Sequence, residues 1–442
     1  MRHLHRIAFS IALIPAAAIA DLPFTLDPVG VDVSGVDPYV SLVLDSSGEP
    51  CLSFNAFNHV LLYATRIGES WDFDIVDPTI FPVGWYNSLV LDFTGEPQIS
   101  YFGATDLGFA SRTGGTWTTE TIDSIGQTYY YTSIALDSQE TPHISYYNGH
   151  LKHVTRIGAY WTTENVDTTG DVGKYSSLEL DASGNPCISY FDDSNNRLKF
   201  ARKTGGVWTT EVVSPIGETV GGYCSLAIDA IGGFHISYLR LNPDQLKYAT
   251  KSGEAWTTEV VDAAGWDTSI DVDNQGHPWI SYRDQANADL KLATKQGGTW
   301  TTQTVDSNGS TGFKTSIVLD SQNLPWIAYF SYSAQDYRVA IPDPNAVGVE
   351  PFVVGEPLVG APYPNPSHGS VSFAIRVPNT DSVRLTLFDV GGRMISMIPG
   401  QELQSGPRVM TWNPRDIESG VYFLRVESSS GIRETRQVTL IR

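Results

Sequence analysis

The sequence predicts an all-β protein: a seven-bladed β-propeller of four-stranded blades, followed by a small C-terminal β-sandwich. A core motif, S-[LI]-x-[LIV]-D-x-x-G-x-P-x-I-S-Y, recurs along the chain. Its aspartates are Asp45, Asp92, Asp137, Asp181, Asp229, Asp273 and Asp320. The aspartates are 44 to 48 residues apart, and several short strands fit in each unit. This period is typical of propeller blades.

The N-terminus predicts a secretory signal peptide over residues 1–20. It begins with Arg2 and Arg6, continues with a short apolar stretch and ends in Ala18-Ile19-Ala20. This order of basic, apolar and small residues is typical of export signals. We expect cleavage after Ala20; a buried N-terminal helix is the alternative.

One copy of the repeat, Ser177 to Val213, illustrates the predicted blade. Its four strands are expected at residues 177–181, 187–190, 198–201 and 208–213. Gly and Pro mark the turns between them. The propeller is expected to span residues 21–342.

Ring closure follows from the ends of the repeat. A tryptophan marks the fourth strand of six copies: Trp71, Trp117, Trp161, Trp208, Trp256 and Trp300. The seventh copy stops after its third strand, at Ala340, while Phe24–Asp27 aligns with the fourth strand of the first full blade. The N-terminal strand should therefore complete blade 7 and remove an exposed sheet edge. Six or eight blades are the alternatives.

Most of the repeated residues favour structural roles. Each motif aspartate precedes a Gly/Pro turn, where a carboxylate can accept backbone N–H groups. A ring of metal ligands is the less favoured interpretation. The I-S-Y tyrosines and the tryptophans are expected in the core and between blades. Cys51, Cys187 and Cys224 are too far apart in the repeat to pair, so we interpret all three as packing residues.

The turn between the third and fourth strands reads A-x-[KR]-x-G-x-x-W, as in Ala249–Trp256 and Ala293–Trp300. It resembles the Asp-box of sialidase-type (BNR) propellers, S-x-D-x-G-x-x-W, at the same hairpin. Here Ala replaces the Ser and a basic residue replaces the Asp. The box is a folding device in that family, so the resemblance implies the fold and no catalysis.

Charge and motifs limit the function classes. The net charge is −21, and residues 21–360 alone carry −25. Such a surface repels nucleic acid and anionic membranes. It is compatible with neutral glycans, cations or basic partners, and also with simple solubility. No apolar run reaches the length of a membrane span, and phosphate loops, metal-spaced cysteines and nucleophile elbows are missing. We expect no cofactor, no metal and a monomer.

An aromatic side chain precedes every innermost strand, which predicts a ring at the channel mouth. The residues are Tyr39, Tyr86, Tyr131, Tyr175, Tyr223, Trp266 and Phe313. Exposed aromatic rings with a polar edge suit stacking on sugars and other flat ligands. The alternative is that these rings fill the grooves between blades.

The loop after I-S-Y is a second candidate, because it diverges while its frame repeats. It holds Asn55, Asn58, Asn148, His150, Asp192, Asp193, Asn195, Arg240, Asp244, Arg283 and Asp284. We expect Arg240, Arg283, Asp192 and Asp193 to contribute to ligand binding.

A hydrolase is the rival hypothesis. Arg197, Arg240 and Arg283 lie on three successive blades, as a sialidase-like site requires, but the sequence offers no Tyr–carboxylate nucleophile pair. Glu179 and Asp271 interrupt apolar innermost strands, and a buried carboxyl with a raised pKa can act as an acid. A hydrogen-bonded residue in a wet channel is the simpler interpretation. No catalytic residue is assigned.

The repeat ends before a linker, residues 343–360, and residues 361–442 form alternating strands with Gly-marked turns. The segments Tyr363-Pro-Asn-Pro366, Leu387-Phe-Asp389 before Gly392-Arg393, and Ser419–Arg425 carry a resemblance. They are similar to C-terminal sorting domains of the type IX (Por) secretion system and to the Ig-like domain of flagellar hook-capping proteins. The resemblance implies an Ig-like sandwich recognised by outer-membrane secretion machinery. A plain accessory spacer is the alternative.

The sequence therefore predicts a secreted or surface-attached protein, exported through the periplasm. Its propeller is expected to bind a glycan or a protein without catalysis. A propeller glycoside hydrolase or polysaccharide lyase and a structural surface component are the alternatives.

Overall fold

The computed structural model describes residues 22–31, 33, 37–56, 60–68, 70–78, 83–103, 105–124, 131–253, 255–342, 371–377, 381–390, 393–403, 406–412, 417–428 and 433–440. All regular structure in these ranges is β-strand, and the larger of two compact units is Phe24–Pro342. No helix in the described ranges is long and apolar enough to cross a membrane. The predicted signal peptide and linker lie outside the described residues.

The larger unit is a seven-bladed β-propeller, which confirms the predicted fold. Its first strand is β1 (Phe24–Pro28). Blade 1 contains β2 (Val40–Leu44), β3 (Pro50–Ala56), β4 (Val60–Ile67) and β5 (Ser70–Asp77). Blade 2 contains β6 (Trp85–Leu91), β7 (Pro97–Phe102), β8 (Asp106–Thr113) and β9 (Thr116–Ser124). Blade 3 contains β10 (Thr132–Leu136), β11 (Pro142–Tyr147), β12 (Leu151–Ile157) and β13 (Tyr160–Asp167). Within each blade, strands that follow each other in the chain pair antiparallel.

The remaining blades repeat this order. Blade 4 contains β14 (Val172–Leu180), β15 (Pro186–Asp192), β16 (Arg197–Thr204) and β17 (Val207–Val212), and blade 5 contains β18 (Thr219–Val220), β19 (Ser225–Ile228), β20 (Phe234–Leu241), β21 (Gln245–Ser252) and β22 (Ala255–Asp262). Blade 6 contains β23 (Trp266–Val272), β24 (Pro278–Asp284), β25 (Asp289–Gln296) and β26 (Thr299–Asp306). Blade 7 contains β27 (Phe313–Leu319), β28 (Pro325–Ser331) and β29 (Asp336–Pro342). In blade 5, β18 and β19 both pair with β20. The fourth strand of blade 7 is β1, which pairs antiparallel with β29 from Phe24 opposite Pro342 to Pro28 opposite Arg338. The predicted closure by the N-terminal strand is therefore confirmed.

A ring of serines joins the innermost strands. The Ser of each motif accepts the backbone N–H of the following blade, as where Ser177 accepts from Leu226 at 3.0 Å and Ser269 accepts from Ile317 at 3.2 Å. The other five serines are Ser41, Ser88, Ser133, Ser225 and Ser316. Because these strands belong to different sheets, the serine supplies the bond that no neighbouring strand provides. Ser316 of blade 7 accepts the backbone N–H of Leu42 in blade 1 at 3.1 Å, which completes the ring.

The motif aspartates fold the turns, as predicted. In every copy one carboxylate oxygen accepts the backbone N–H groups two and four residues later. The three cysteines are buried and unpaired, also as predicted.

The hairpin that resembles the Asp-box ties neighbouring blades together. Lys251 and Trp256 of blade 5 donate to Glu211 on the outermost strand of blade 4, at 2.6 and 2.9 Å. The equivalent ion pairs are Arg66–Asp27, Arg112–Asp74, Arg156–Glu120, Lys203–Glu164 and Lys295–Glu259. The basic residue that departs from the Asp-box pattern thus bridges blades. Between blades 6 and 7 the pattern changes, because Gln303 replaces the acid and Pro342 replaces the base.

The C-terminal unit contains two sheets. One pairs β32 (Met394–Leu403), β31 (Asp381–Asp389), β34 (Gly420–Ser428) and β35 (Arg433–Leu440) in that order; the other pairs β30 (Val371–Val377) with β33 (Gly406–Trp412). Alternate residues of β31, namely Val383, Leu385 and Leu387, pack in one apolar cluster with Val371 of the other sheet. The unit is therefore a β-sandwich, as predicted.

Candidate functional site

Seven side chains form a ring at the start of the innermost strands, one from each blade. They are Tyr39, Tyr86, Tyr131, Tyr175, Tyr223, Asp267 and Lys314. Six of the seven have a left-handed φ between 48 and 76°. This conformation is unfavourable for residues other than glycine, so its recurrence means that the surrounding structure holds these side chains in place.

The ring position in blades 6 and 7 falls one residue later than predicted. The ring residue stands two positions before the motif serine in every blade, and in blades 6 and 7 this position carries Asp267 and Lys314, with the aromatic residue one position earlier. Trp266 packs 5.6 Å from the Tyr223 ring and donates its indole N–H to Asp244 at 3.1 Å. Phe313 lies under the Arg283 guanidinium, 4.0 Å from carbon to ring centroid. Both side chains therefore fill grooves between blades.

The five tyrosines form a continuous stack of tilted and edge-on ring contacts, with interplanar angles from 39 to 62°. Successive ring centroids are 4.1, 4.4, 4.2 and 4.6 Å apart. The stack ends at Tyr39 and Tyr223, and the ammonium of Lys314 lies 5.1 Å from both of these ring centroids. It also lies 3.3 Å from a carboxylate oxygen of Asp267. Lys314 therefore bridges the gap in the stack by cation–π contacts and an ion pair.

The protonation states support this arrangement. Burial raises the pKa of Tyr39, Tyr131 and Tyr223 above the ordinary phenol range. Burial opposes the charge on Lys314, but Asp267 and the neighbouring phenols raise its pKa overall. The ring thus places its phenols around the ion pair of Lys314 and Asp267. Its aromatic surfaces already contact each other and a cation of the same chain.

The three predicted arginines are held by separate local contacts. Arg197 donates to the carbonyl of Pro215, and Arg240 donates to Gln245 at 2.7 Å. Arg283 is buried against Phe313, where burial lowers its pKa. The convergent triad that a sialidase-like site requires is not assembled by these residues.

The two carboxyls of the innermost strands lie apart from the arginines. Burial raises the pKa of Glu179 to about 8, and the nearby charge of Asp271 contributes. Burial also raises the pKa of Asp271, which accepts backbone N–H groups from Leu319 at 2.8 Å and Val272 at 2.7 Å. These bonds favour the interpretation of Asp271 as a structural residue.

The predicted loop residues have mixed roles. Asp192 is buried and accepts the backbone N–H of Asn195 at 3.0 Å, which folds its own loop. Asp193 instead accepts from the ammonium of Lys174. In blade 1, Asn55 accepts the backbone N–H of Tyr39 at 2.8 Å. Asn58 lies outside the described residues.

A cleft of ≈ 570 Å³ opens beside the ring, on the side of blades 3 to 5. Its aromatic lining is Tyr131, Tyr147, Tyr175 and Phe191, its polar lining is Lys174, Asp193 and Asn196, and Val220, Gly221 and Leu241 complete it. Three predicted residues, Tyr131, Tyr175 and Asp193, thus meet here. Apolar walls with a few convergent polar groups are typical of small-molecule sites of this size.

Lys174 organises the charges of the cleft. Its ammonium lies 5.6 Å from the Tyr147 ring centroid and donates to Asp193 and, at 2.9 Å, to Asp171. The Tyr147 hydroxyl donates to Asp171 as well. Burial opposes both charges, but these hydrogen bonds lower the pKa of Asp171 and raise that of Lys174. The groups therefore stay ionised near neutral pH.

Seven of the ten cleft residues were not predicted: Tyr147, Lys174, Phe191, Asn196, Val220, Gly221 and Leu241. The residue that directly precedes the ring position carries a sequence signal, because blade 5 differs there from three other blades. Gly222 stands there in blade 5, where blades 2, 6 and 7 have Trp85, Trp266 and Phe313.

Comparison with protein families identifies the C-terminal unit. Residues 361–440 match the family described as secretion system C-terminal sorting domain. The sorting domain confirms that the protein is exported, to be secreted or held at the outer cell surface. No curated protein matches the chain significantly.

Solved structures similar to this chain include three β-rich proteins. YCF48 from Cyanidioschyzon merolae is 13% identical, with 72% of this chain and 98% of that chain covered and a TM-score of 0.48. A lectin from Aleuria aurantia is 12% identical, with 61% and 96% covered and a TM-score of 0.42. An α-L-arabinofuranosidase from Fusarium graminearum is 10% identical, with 73% and 97% covered and a TM-score of 0.42.

Proposed function

We propose that this protein is a non-catalytic binding module that acts outside the cell. The sorting domain carries it out, and the propeller binds an extracellular glycan or protein through the face that holds the cleft. The cleft is the observation that supports this proposal, because it combines four aromatic rings with a small group of fixed charges.

The chemistry of the cleft favours binding over catalysis. Its carboxylate, Asp193, is paired with Lys174, and its lining includes neither Glu179, whose pKa is raised, nor Asp271. General acid catalysis requires an acid within hydrogen-bond reach of the reacting group. The described lining offers paired charges and phenols, which suit recognition.

A glycan array probed with the full-length secreted protein, with and without calcium, tests the proposal. We expect saturable binding that Leu241→Trp weakens, because a larger side chain at the cleft would fill it. Ile157→Trp is the matched control, since Ile157 is 63% exposed on a hairpin outside the cleft. Binding that neither substitution affects would contradict the assignment to the cleft. Release of reducing sugar from any bound glycan would contradict the non-catalytic function.

A further inference from the structure

We infer that the cleft is a single site for an uncharged saccharide, and that Gly222 shapes it by leaving room for the Tyr175 ring, which lines it. This inference rests on the proposed binding function and narrows it to one site and one class of ligand. It differs from the sequence-based expectation of a ring with an equivalent contribution from every blade.

The residue that precedes the ring position differs between the blades. The residue before the ring position is, from blade 1 to blade 7, Pro38, Trp85, Tyr130, Lys174, Gly222, Trp266 and Phe313. In blade 6 the Trp266 side chain covers Tyr223, the ring residue of the preceding blade, and bonds to Asp244 in that blade's loop. In blade 7, Phe313 similarly covers the end of a strand in blade 6 by stacking on Arg283. A bulky residue at this position thus fills the groove towards the preceding blade.

Blade 5 lacks this filling. The corresponding groove would be bounded by the ring residue and loop of blade 4, and these are the cleft residues Tyr175, Asp193 and Asn196. A Cβ atom at Gly222 would lie 2.4 Å from the Tyr175 ring, so the ring occupies the place of a side chain. The φ of Gly222 is +88°, which also disfavours any other residue. Both observations indicate that Gly222 lets the Tyr175 ring lie against the backbone of blade 5, where the ring lines the cleft.

The charges in and around the cleft favour an uncharged ligand. Lys174 is shared between Asp171 and Asp193, so its positive charge is already compensated within the protein. The surrounding residues 21–360 carry −25, which disfavours anionic ligands by long-range repulsion. A sulfated, sialylated or uronic-acid glycan would therefore be repelled on approach and would find no unpaired cation at Lys174 to bind. An uncharged ligand meets neither obstacle.

The aromatic surfaces and polar groups of the cleft match the shape and the hydrogen-bonding groups of a saccharide. Saccharide rings combine an apolar face of C–H groups with a rim of hydroxyls that both donate and accept. The rings of Tyr147, Tyr175 and Phe191 offer surfaces for the apolar face. The Asp193 carboxylate accepts, the Lys174 ammonium donates, and the Asn196 amide does both. This combination fits a neutral sugar better than a purely apolar ligand, which would leave the charged groups without water.

The test uses the full-length protein and an array of neutral, sulfated, sialylated and uronic-acid glycans. The strongest hit is then measured by titration calorimetry. We expect a neutral glycan to bind with one site per chain, and Lys174→Met to weaken it about tenfold or more. Lys203→Met is the matched control, because Lys203 also pairs with a carboxylate, Glu164 at 2.6 Å, but away from the cleft.

The outcomes separate the inference from the proposed function. Neutral-glycan binding at one site, lost in Lys174→Met and kept in Lys203→Met, supports both. Several equivalent sites per chain, binding unchanged by Lys174→Met, or a preference for acidic glycans would overturn the inference and leave a binding function in place. No binding to any glycan would overturn the inference and also remove the glycan from the proposed function. Circular dichroism of each variant establishes that it is folded.

Discussion

The groove between blades 4 and 5 is open, whereas the groove between blades 6 and 7 is filled. In the filled groove, Phe313 and Arg283 stack at 4.0 Å. In the open groove, Gly222 takes the place of Phe313, and Phe191 takes the place of Arg283. The two seams share the same serine hydrogen bond, at 3.0 and 3.2 Å. The frame of the propeller is therefore separable from the side chains that line or fill the grooves between its blades.

The largest effect is expected from emptying the filled groove. Phe313→Ala would remove the ring on which a buried guanidinium stacks, and we expect a loss of about 2–4 kcal/mol in unfolding free energy. Chemical denaturation measures it. Phe93→Ala is the control, because Phe93 is 81% exposed, and it should change little. Equal effects of the two substitutions would mean that Phe313 does not support its groove.

The serine bonds test whether the two seams share one frame. Ser177→Ala and Ser269→Ala each leave one backbone N–H without its acceptor, and we expect a cost of about 1–2 kcal/mol for each. Urea denaturation of the two variants side by side measures the difference. If one serine proved essential and the other dispensable, the seams would not be equivalent.

A pH-dependent effect distinguishes the seam between blades 3 and 4. There His153 packs 5.5 Å from Trp208, where the next seam has Phe200 5.2 Å from Trp256. His153 also bonds to His143 at 3.0 Å and to Glu164 at 2.8 Å. Burial lowers the pKa of both histidines, despite the opposing carboxylates of Glu164 and, for His143, Asp137.

The direction in which pH changes the stability follows from proton binding by the two histidines. Below about pH 6.5 the unfolded chain binds protons that the folded histidines resist, so stability that is present above this pH is lost as the pH falls. His153→Phe copies the neighbouring seam, and we expect it to reduce the decline in melting temperature between neutral pH and the folded-state pKa. Lys203 also faces this cluster and bonds to Glu164, so Lys203→Met is measured in parallel. An unchanged slope in His153→Phe would exclude this histidine as the origin.

The smallest effect is expected from the ion pairs between outer strands. Lys251→Met would remove the pair with Glu211, and we expect a loss of about 0–1 kcal/mol that diminishes in high salt. The seam between blades 6 and 7 has Gln303 and Pro342 at the equivalent positions, which indicates that the ion pair is not required for closure. Melting curves at low and high salt measure the contribution. A loss as large as that of Ser177→Ala would contradict this ranking.

The repeat made the fold predictable from the sequence. A motif that returns every 44 to 48 residues specifies the strands, and the aspartates within it specify the turns. The closing strand was also predictable, because Phe24–Asp27 resembles a fourth strand that the seventh copy lacks. The serine of the motif was visible, but its role was not, since its partner lies on another blade.

The candidate site was less predictable for two physical reasons. The ring position in blade 6 carries Asp267, which is not aromatic, so following the aromatic residues led to Trp266 one position earlier. Gly222 leaves room for the Tyr175 ring that lines the cleft, and a glycine in a loop usually signals only a turn. Lys174 gave no signal because its importance comes from Asp171 and Asp193 together, which approach it only in the folded chain.

The closing strand also determines how the propeller responds to mechanical force. The sorting domain follows β29 in the chain, so tension on a surface-attached molecule in flowing liquid enters the propeller at Pro342. This strand pairs with β28 on one side and with β1 on the other. Pulling it out must break hydrogen bonds along both edges, whereas an outermost strand would peel from a single neighbour. Exchanging the chain termini within blade 7 therefore gives the tether a stronger attachment than a blade built from consecutive strands would provide.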